Sequence, residues 1–324
     1  MSDNTIRRAC IAEMNRLGSE GKSFAFLVDF EEKRPRIWES SDKQHEFLFD
    51  FDGRSNHPAY SSNNSRPHTL LKFPLTLEDY AQRFRVALQH IRRGDSYLVN
   101  VTAPTRLEID MDFSELYHRI RSKYKCLLRE GFLCFSPETF IRIRDGRIHA
   151  HPMKGTIDAD LPEAETTILK DPKEAAEHAT IVDLIRNDLS LVAMNVRVER
   201  YRYFEVIEAD GRRIGQVSSE ILGDLPNDYP SRIGDILFSQ LPAGSISGAP
   251  KRKTVSIIRE AEGEDRGYYT GVAGFFDGRD LDSCVLIRFI EQGGVYRSGG
   301  GITSRSRLES EYREMIDKVY VPLH

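Results

Sequence analysis

The order of strand-type and helix-type segments is the feature that most limits how this chain can fold. Short apolar or alternating runs indicate strands, whereas longer runs with apolar residues three or four apart indicate helices. The two kinds come in irregular groups along the 324 residues, and no repeat of fixed period appears. Regular alternation of strand and helix is what builds a doubly wound parallel sheet. Its absence predicts an α+β fold with large antiparallel β-sheets.

Individual segments carry clear patterns. Strands are predicted at residues 24–28, 36–38, 97–107, 132–135, 140–144, 147–151, 197–206, 217–221, 271–276 and 283–290. Helices are predicted at residues 76–93, 113–129, 233–238, 251–260 and 308–319, and from residue 171 onward. Asp145 and Gly146 predict a hairpin turn. Residues 50–67 are rich in Ser, Asn, Gly and Pro, which predicts a flexible loop.

Composition excludes several classes of protein. The net charge of −4, with 30% of residues charged, argues against a general affinity for nucleic acid or for an anionic membrane. No apolar run reaches the roughly 18 residues that predict a membrane-spanning helix, and the N-terminal segment lacks an apolar signal region. The four cysteines show no C-x-x-C spacing, so we expect reduced thiols and no zinc site. These features predict a cytoplasmic protein.

The segment His151-Pro152-Met153-Lys154-Gly155-Thr156 places one lysine between a proline and a Gly-Thr turn. Taken alone, such a lysine is most simply a solvated surface residue. To act as a nucleophile an ordinary lysine must lose its proton, at a cost of about 4 kcal/mol near pH 7.5. A bound cation and partial burial would reduce that cost. Glu138 lies in the preceding strand region and would approach Lys154 if the two segments form a hairpin, where it could act as a general acid or base.

Two predicted helices present carboxylates at helical spacing. Glu174 and Glu177 are three residues apart, and Glu311, Glu314 and Lys318 fall on one narrow stripe of the last helix. A helix cap, solvated charges and an i,i+4 ion pair are the alternative interpretations. Two helices that each offer carboxylates could also hold one hard divalent cation. Mg²⁺, which favours a few carboxylates together with water and substrate oxygens, fits best.

Two glycine-rich segments could bind an anion. Residues 244–251 carry a hydroxyl at Ser245 and begin a helix near Pro250, but Ala-Pro stands before the lysine, so the phosphate-loop pattern is not met. A tight structural turn is an equally good interpretation. The triplet 299–301 follows a strand that ends near Arg288, and a guanidinium beside exposed backbone N–H groups would suit a carboxylate. A plain flexible glycine loop remains the alternative.

Seven segments, in this order, resemble the chorismate-utilising enzymes over about residues 76–319. They are Gly94-Asp95-Ser96-Tyr97, Ser136-Pro137-Glu138, 152–156, 181–188, 242–251, 299–302 and Glu311-Tyr312. Within that family the chain resembles the aminodeoxychorismate synthases (component I), because anthranilate synthases carry a small residue where Lys154 stands. The resemblance implies two large antiparallel β-sheets sandwiched by helices. It also implies a single domain over residues 1–324, in which 1–75 form a shortened N-terminal part.

The resemblance further implies a transferase that uses Mg²⁺ to aminate chorismate at C4 with ammonia. Lys154 matches the nucleophile, which adds at C2 as the C4 hydroxyl leaves, and Glu138 matches the acid–base glutamate. Glu177 and Glu314 match the Mg²⁺ ligands. The matching substrate-contacting positions are Thr156, Glu174, Ser245, Tyr269, Arg288, Gly299, Gly300, Gly301, Glu311 and Lys318. The product, 4-amino-4-deoxychorismate, would feed 4-aminobenzoate and folate synthesis.

Departures from the family pattern keep two alternatives open. Gly215 stands where relatives have a histidine, Leu98 where many have Gln, and His151 where many have Arg. The chain could instead make anthranilate or isochorismate, or be a non-catalytic chorismate-binding or partner subunit. None of the cysteines lies in a Gly-x-Cys-x-Gly segment. We therefore expect ammonia to come from solution or from a separate glutamine amidotransferase subunit.

Overall fold

The computed structural model of the protein describes residues 3–40, 46–58, 69–209 and 212–323. The helices are Asp3–Ser19 (α1), Leu77–Arg92 (α2), Phe113–Arg119 (α3), Ala164–Lys170 (α4), Pro172–Leu189 (α5), Ile233–Ser239 (α6), Lys251–Glu262 (α7) and Leu308–Asp317 (α8). Short 3-10 turns lie at Tyr229–Arg232 and Gly244–Ile246. None of the helices in these ranges is both long and apolar enough to cross a membrane.

The strands are Phe24–Val28 (β1), Arg36–Glu39 (β2), Phe47–Phe51 (β3), Arg54–Ser55 (β4), Leu70–Pro74 (β5), Leu98–Ile109 (β6), Tyr124–Leu128 (β7), Phe132–Ser136 (β8), Thr139–Arg144 (β9), Arg147–Ala150 (β10), Met153–Asp158 (β11), Met194–Ala209 (β12), Arg212–Asp224 (β13), Gly248–Ala249 (β14), Val272–Phe276 (β15), Leu281–Val285 (β16), Phe289–Glu291 (β17) and Val295–Ile302 (β18).

These strands form two nine-stranded antiparallel sheets. In the first sheet the order is β11-β13-β10-β9-β16-β15-β1-β2, with β12 also paired to β13. In the second the order is β14-β6-β18-β17-β8-β7-β3-β4, with β5 also paired to β6. The predicted α+β class and the two large antiparallel sheets are confirmed.

The two sheets pack face to face between helices, because successive side chains of a strand point to opposite faces of its sheet. On β1, Phe24, Phe26 and Val28 belong to a core shared with the helices, whereas Ala25 and Leu27 belong to a second core. That second core combines residues of both sheets, so their inner faces pack on each other. A third core lies where α3 covers the outer face of the second sheet. Helices α1, α2, α5, α6, α7 and α8 contribute to the first core.

The predicted helix at 113–129 is wrong in its second half. Helix α3 ends at Arg119, because Ile120 has an extended backbone with φ −70° and ψ 134°. The chain then forms β7, in which Tyr124, Cys126 and Leu128 enter the core between the sheets. Apolar residues in this stretch fit both a helical and an alternating period. Pairing with β3 and β8 decides in favour of the strand, since all five residues of β7 are paired with both neighbouring strands.

The predicted flexible loop at 50–67 is wrong where it meets β3 and β4. Residues Phe47–Phe51 and Arg54–Ser55 form a hairpin, and the turn between them is made by Asp52 (φ 52°) and Gly53 (φ 88°). This Asp-Gly pair is a hairpin signal that the polar composition of the segment obscured. Residues 59–68 of the predicted loop lie outside the described residues.

Helix α1 was not predicted from the sequence. It packs on α6 and buries Cys10, Met14 and Leu17, which are spaced four and three residues apart. The charged residues between them conceal this narrow apolar stripe. Its close packing is visible at Gly234 of α6, where a Cβ atom would lie 2.5 Å from the carbonyl oxygen of Ile11.

The glycine triplet at 299–301 is part of a strand, which corrects its interpretation as a loop. In β18, Gly299, Gly300 and Gly301 pair with Thr102, Val101 and Asn100 of β6, respectively. A Cβ atom on Gly299 would lie 2.2 Å from the carbonyl oxygen of Val101, which is far inside van der Waals contact. Glycine is therefore required at this position by the close approach of two backbones.

This geometry distinguishes neighbouring glycines by stability. Gly299→Ala should lower the free energy of unfolding by about 3 kcal/mol or more, because backbone atoms cannot move away as a side chain could. Gly300→Ala should change it by less than about 1 kcal/mol, since a Cβ there would meet nothing closer than 3.4 Å. Urea unfolding of both variants measures the difference. Equal losses of unfolding free energy in the two variants would contradict this prediction, because they would mean that β6 can move away from β18 at Gly299.

Candidate active site

Strand β11 carries Lys154 towards the start of α5. The register of β11 against β13 shifts between Met153 and Thr156, and Gly155 in this irregular segment has φ +83°. A Cβ on Gly155 would lie 2.9 Å from Oε2 of Glu174. The bulge therefore brings the backbone beside Lys154 against the first turn of α5.

Helix α5 begins at the predicted position and presents its carboxylates to Lys154. The Asp171 side chain accepts hydrogen bonds from the backbone N–H groups of Lys173 and Glu174, which confirms the predicted N-cap. Glu177, one turn further, has its Oε2 3.4 Å from the amine of Lys154. Its Oε1 lies 3.8 Å from the amine of Lys173, a neighbour that the sequence interpretation had overlooked.

Helix α8 brings its polar stripe to the glycines of β18. A Cβ on Gly300 would lie 3.4 Å from Oε2 of Glu311 and 3.5 Å from Oε1 of Glu314. The amine of Lys318 donates to the carbonyl of Gly299 at 2.9 Å and contacts Glu314 at 2.6 Å. On the next glycine, Gly301, a Cβ would lie 3.3 Å from the amine of Lys154. Side chains of β11 and α8 thus reach consecutive glycines.

The carboxylates of α5 and α8 influence one another. Burial and then the charge of Glu177 raise the pKa of Glu174. The pKa of Glu311 is also raised, mainly by burial and in part by Glu314 and Glu177. Burial tends to raise the pKa of Glu314 as well, but the neighbouring Lys318 brings it below its usual range. The repulsion among these carboxylates would be relieved by a bound cation.

The donor set fits a divalent ion that takes only part of its ligands from the protein. The described residues contain no group of three or more His, Cys, Asp or Glu side chains that could hold a metal by themselves. Carboxylate oxygens from two helices are nevertheless the ligand type that Mg²⁺ prefers, and this ion commonly completes its shell with water and substrate oxygens.

Glu138 lies just before β9 and is held by the 3-10 turn at Gly244–Ile246. The Ser245 hydroxyl donates a hydrogen bond to the Glu138 carboxylate. Burial raises the pKa of Glu138, while Ser245 and the charges of Lys154, Arg288 and Lys318 oppose that rise. A carboxyl group with a raised pKa suits proton transfer near neutral pH. The predicted hairpin across Asp145 and Gly146 forms between β9 and β10, whereas Lys154 lies on β11, which pairs with β13. The charge of Lys154 nevertheless acts on Glu138.

Arg288 is placed to meet an anion. It has an unusual φ of +55° just before β17, and its guanidinium lies over the ring of Tyr320 at 5.2 Å. Within the described ranges its Nε has no hydrogen-bond partner. This Nε is shielded from solvent, so the charge of the guanidinium, together with that of Lys318, is what would attract a carboxylate.

Two predicted substrate-contacting residues are placed differently from the others. Tyr269 is 3% exposed and packs against Phe289 in the core between the sheets, where burial raises its pKa. Thr156 is exposed on β11 opposite Gln216. Their assignment to the substrate stays a prediction.

The departure at Gly215 has a steric explanation. A Cβ on this residue would lie 2.3 Å from Cζ of Phe204 on the neighbouring strand β12. A histidine at this position would therefore need the half-buried Phe204 ring to rotate away. The departure at Leu98 places an apolar side chain against Gly301, where a Cβ atom would lie only 2.9 Å from Cδ1 of Leu98.

A cavity behind Glu138 brings predicted site residues together with an acidic residue, Asp188, that the sequence interpretation had not singled out. It is lined by Glu138, His151 and Ser245, and it extends to Asp188 at the end of α5. Asp188 contacts the amine of Lys251 at 2.6 Å, joining the end of α5 to the start of α7. Both residues belong to segments that carry the family resemblance, which is the signal that could have paired them.

The buried position of His151 can be tested by the pH dependence of the free energy of unfolding. Burial lowers its pKa to about 4, so the unfolded chain binds its proton first as the pH falls below the ordinary value of about 6.5. The stability it contributes is therefore complete above pH 6.5 and is lost as the pH falls towards 4. His151→Gln should reduce the loss of unfolding free energy between pH 7 and 4.5 by about 2 kcal/mol. Urea unfolding at both pH values separates this effect from any packing cost, and an unchanged pH dependence would contradict it.

Comparison with other proteins identifies relatives of the whole chain. An uncharacterized PabA-like protein of Pasteurella multocida is 47% identical over 319 residues, which cover 97% of this chain and 98% of the relative. Aminodeoxychorismate synthase component 1 of Klebsiella aerogenes is 35% identical over 270 residues, covering 77% of this chain and 58% of that relative.

Solved structures share the fold. Anthranilate synthase component I from Streptococcus pneumoniae superimposes with a TM-score of 0.68 at 27% identity, over 77% of this chain and 58% of its own. The isochorismate synthase DhbC described for Bacillus anthracis gives a TM-score of 0.72 at 19% identity, over 97% and 87%. The sequence profile of the chorismate binding enzymes matches residues 13–324. This chain therefore belongs to the chorismate binding enzyme family.

Proposed function

We propose that the protein aminates chorismate at C4 with ammonia, in a Mg²⁺-dependent reaction that yields 4-amino-4-deoxychorismate. The observation that carries the proposal is the position of Lys154. Its amine lies 3.4 Å from Glu177 and next to Gly301, within the site formed by α5, α8 and β18. A solvated surface lysine would have no such surroundings.

In the proposed reaction Lys154 is the nucleophile. Its neutral amine forms a bond to C2, the ring double bond shifts, and the C4–O bond breaks. Glu138 supplies the proton with which the hydroxyl leaves as water. Ammonia then forms a bond at C4, the double bond shifts back, and the C2–N bond to Lys154 breaks. The lysine nitrogen keeps its protons while it is bonded to C2 and leaves as the neutral amine. The new ammonium group at C4 returns one proton to Glu138, so that the sum is chorismate and ammonia giving aminodeoxychorismate and water.

The charges around the site support a dianionic substrate. Arg288 and Lys318 both bring positive charge close to Glu138, and the Lys318 amine lies beside the Gly299 carbonyl. Glu177 and Glu314 would hold Mg²⁺, with Glu174 and Glu311 close by. When bound, the ion would neutralise a substrate carboxylate and so reduce its repulsion by the glutamates.

Ammonia in this proposal is supplied from solution or by a separate glutamine amidotransferase subunit. The relative from Klebsiella aerogenes is named as one component of an aminodeoxychorismate synthase, which supports a two-component arrangement. The product would serve the synthesis of 4-aminobenzoate and folate.

Formation of anthranilate is the second candidate function. It is favoured by the likeness to an anthranilate synthase structure at 27% identity. The two candidates differ in what leaves the ring, because anthranilate formation releases pyruvate and amination at C4 does not. Lys154 favours amination, since anthranilate formation in related enzymes proceeds with a small residue at that position.

A pair of lysine variants tests the proposal. With chorismate, Mg²⁺ and ammonium, the wild type should form aminodeoxychorismate, identified by mass and chromatography. Lys154→Ala should lower this activity at least about 1,000-fold, since the covalent route is lost. Lys173→Ala is the matched control, because it also removes an amine next to Glu177 and should keep activity within about threefold of wild type. Anthranilate with pyruvate from the wild type, or unchanged turnover of Lys154→Ala, would contradict the proposal.

The metal assignment is tested on α8. Glu314→Gln should raise the Mg²⁺ concentration needed for half-maximal activity by about 10-fold or more, because one anionic ligand is lost. Glu309→Gln, an exposed residue in the first turn of the same helix, should leave that concentration unchanged. Equal Mg²⁺ requirements for both variants would remove Glu314 from the ligand set.

A further inference from the structure

Arg266 is a charged side chain that is almost wholly shielded from solvent, at 1% exposure. Burial of a guanidinium is costly unless its charge and its N–H groups are satisfied. Glu262, four residues earlier, meets this requirement by accepting from Nε at 2.9 Å and from Nη2 at 2.6 Å. Glu262 in turn accepts from the backbone N–H and the hydroxyl of Thr102, at 2.8 and 2.9 Å.

The remaining donors of Arg266 are used on two backbone carbonyls and, at 3.4 Å, on the hydroxyl of Thr270. Nη1 donates to the carbonyl of Ile246 at 2.9 Å, and Nη2 donates to the carbonyl of Asn100 at 2.8 Å. Ile246 ends the 3-10 turn that carries Ser245. Asn100 pairs with Gly301 in the sheet. One planar group therefore holds the turn behind Glu138 and the strand behind Lys154 in a single relative position.

We propose that Arg266 is a positioning residue for Glu138, acting through the Ile246 carbonyl and the Ser245 hydroxyl. Ser245 can donate to the Glu138 carboxylate only while the turn stays in place. The guanidinium fork is rigid and binds two acceptors at fixed angles, which a lysine amine cannot reproduce. Loss of the fork would let the turn relax and weaken the hydrogen bond from Ser245.

A weaker bond from Ser245 has a definite electrostatic consequence. A donor to a carboxylate favours its ionised form, so Glu138 should keep its proton to a higher pH when the bond is lost. The charged groups that act on Glu138 are Lys154, Arg288 and Lys318, and the titratable His151 and Asp188 line the same cavity. All five are unchanged in the experiment. The inference requires only that Glu138 be ionisable, so it does not depend on the product that the enzyme forms.

The test follows the ionisation of Glu138 directly. The full chain is labelled with glutamate carrying ¹³C in the side-chain carboxyl, and the Glu138 signal is assigned by its loss in Glu138→Gln. Arg266→Lys and Ser245→Ala should each raise the midpoint of the Glu138 titration by about half a pH unit or more. The double variant should show no larger shift than Ser245→Ala alone, because both changes act on one hydrogen bond.

Arg119→Lys is the matched structural control. Arg119 is also well shielded, at 8% side-chain exposure, and it is paired with a glutamate four residues away, but it lies on α3 beyond the second sheet. The Arg119→Lys variant should unfold at a lower urea concentration than the wild type, while the midpoint of the Glu138 titration stays unchanged. A wild-type midpoint in Arg266→Lys, or additive shifts in the double variant, would overturn the proposal.

A milder variant keeps the test decisive if Arg266→Lys fails to fold. Thr102→Val removes the hydroxyl donor to Glu262 and loosens the anchor of the guanidinium while leaving Arg266 in place. The Glu138 midpoint should then rise by a smaller amount in the same direction. A folded Thr102→Val with an unchanged midpoint would overturn the proposal.

Discussion

The close approach of β18 to β6 is the constraint on which the site depends. At Gly299 the two backbones leave no space for a side chain, because the Val101 carbonyl occupies it. The two following glycines leave open the positions that Glu311, Glu314 and Lys154 approach. A single run of three glycines therefore permits both the tight strand pairing and the meeting of polar groups from separate elements. Larger residues here would close the site before any chemistry could occur.

The site also depends on the pairing of its buried carboxylates with lysine amines. Glu177 is approached by two amines, from Lys154 and Lys173, and Glu314 is paired with Lys318. Burial raises the pKa of Glu174 and Glu311 and lowers that of Lys318, so each group resists charge in the absence of a partner. Glu177 is both a proposed Mg²⁺ ligand and the ion-pair partner of Lys154, so binding of Mg²⁺ to Glu177 would weaken its ion pair with Lys154. The proposed nucleophile and the proposed metal ligands thus form one coupled system.

Sequence patterns predicted the fold class and the helices with strong caps, such as α5 behind Asp171, because these depend on local chemistry. They did not predict β7, since the spacing of its apolar residues suits a helix equally well and only its strand partners decide between them. They also misplaced the glycine triplet, because the need for glycine came from a strand distant in sequence. The contacts of Lys154 with Glu177, and of Ser245 with Glu138, join segments that no periodicity connects. Only the resemblance brought those residues together before the structure did.

The contact between Gly215 and Phe204 links two neighbouring strands of the first sheet. A Cβ atom at position 215 would lie 2.3 Å from Cζ at the far end of the Phe204 side chain, so a larger residue there requires this half-buried ring to rotate. The cost of a substitution at position 215 therefore depends on which residue stands at position 204. The two positions are epistatic, and their combined effect on stability is not the sum of the separate effects.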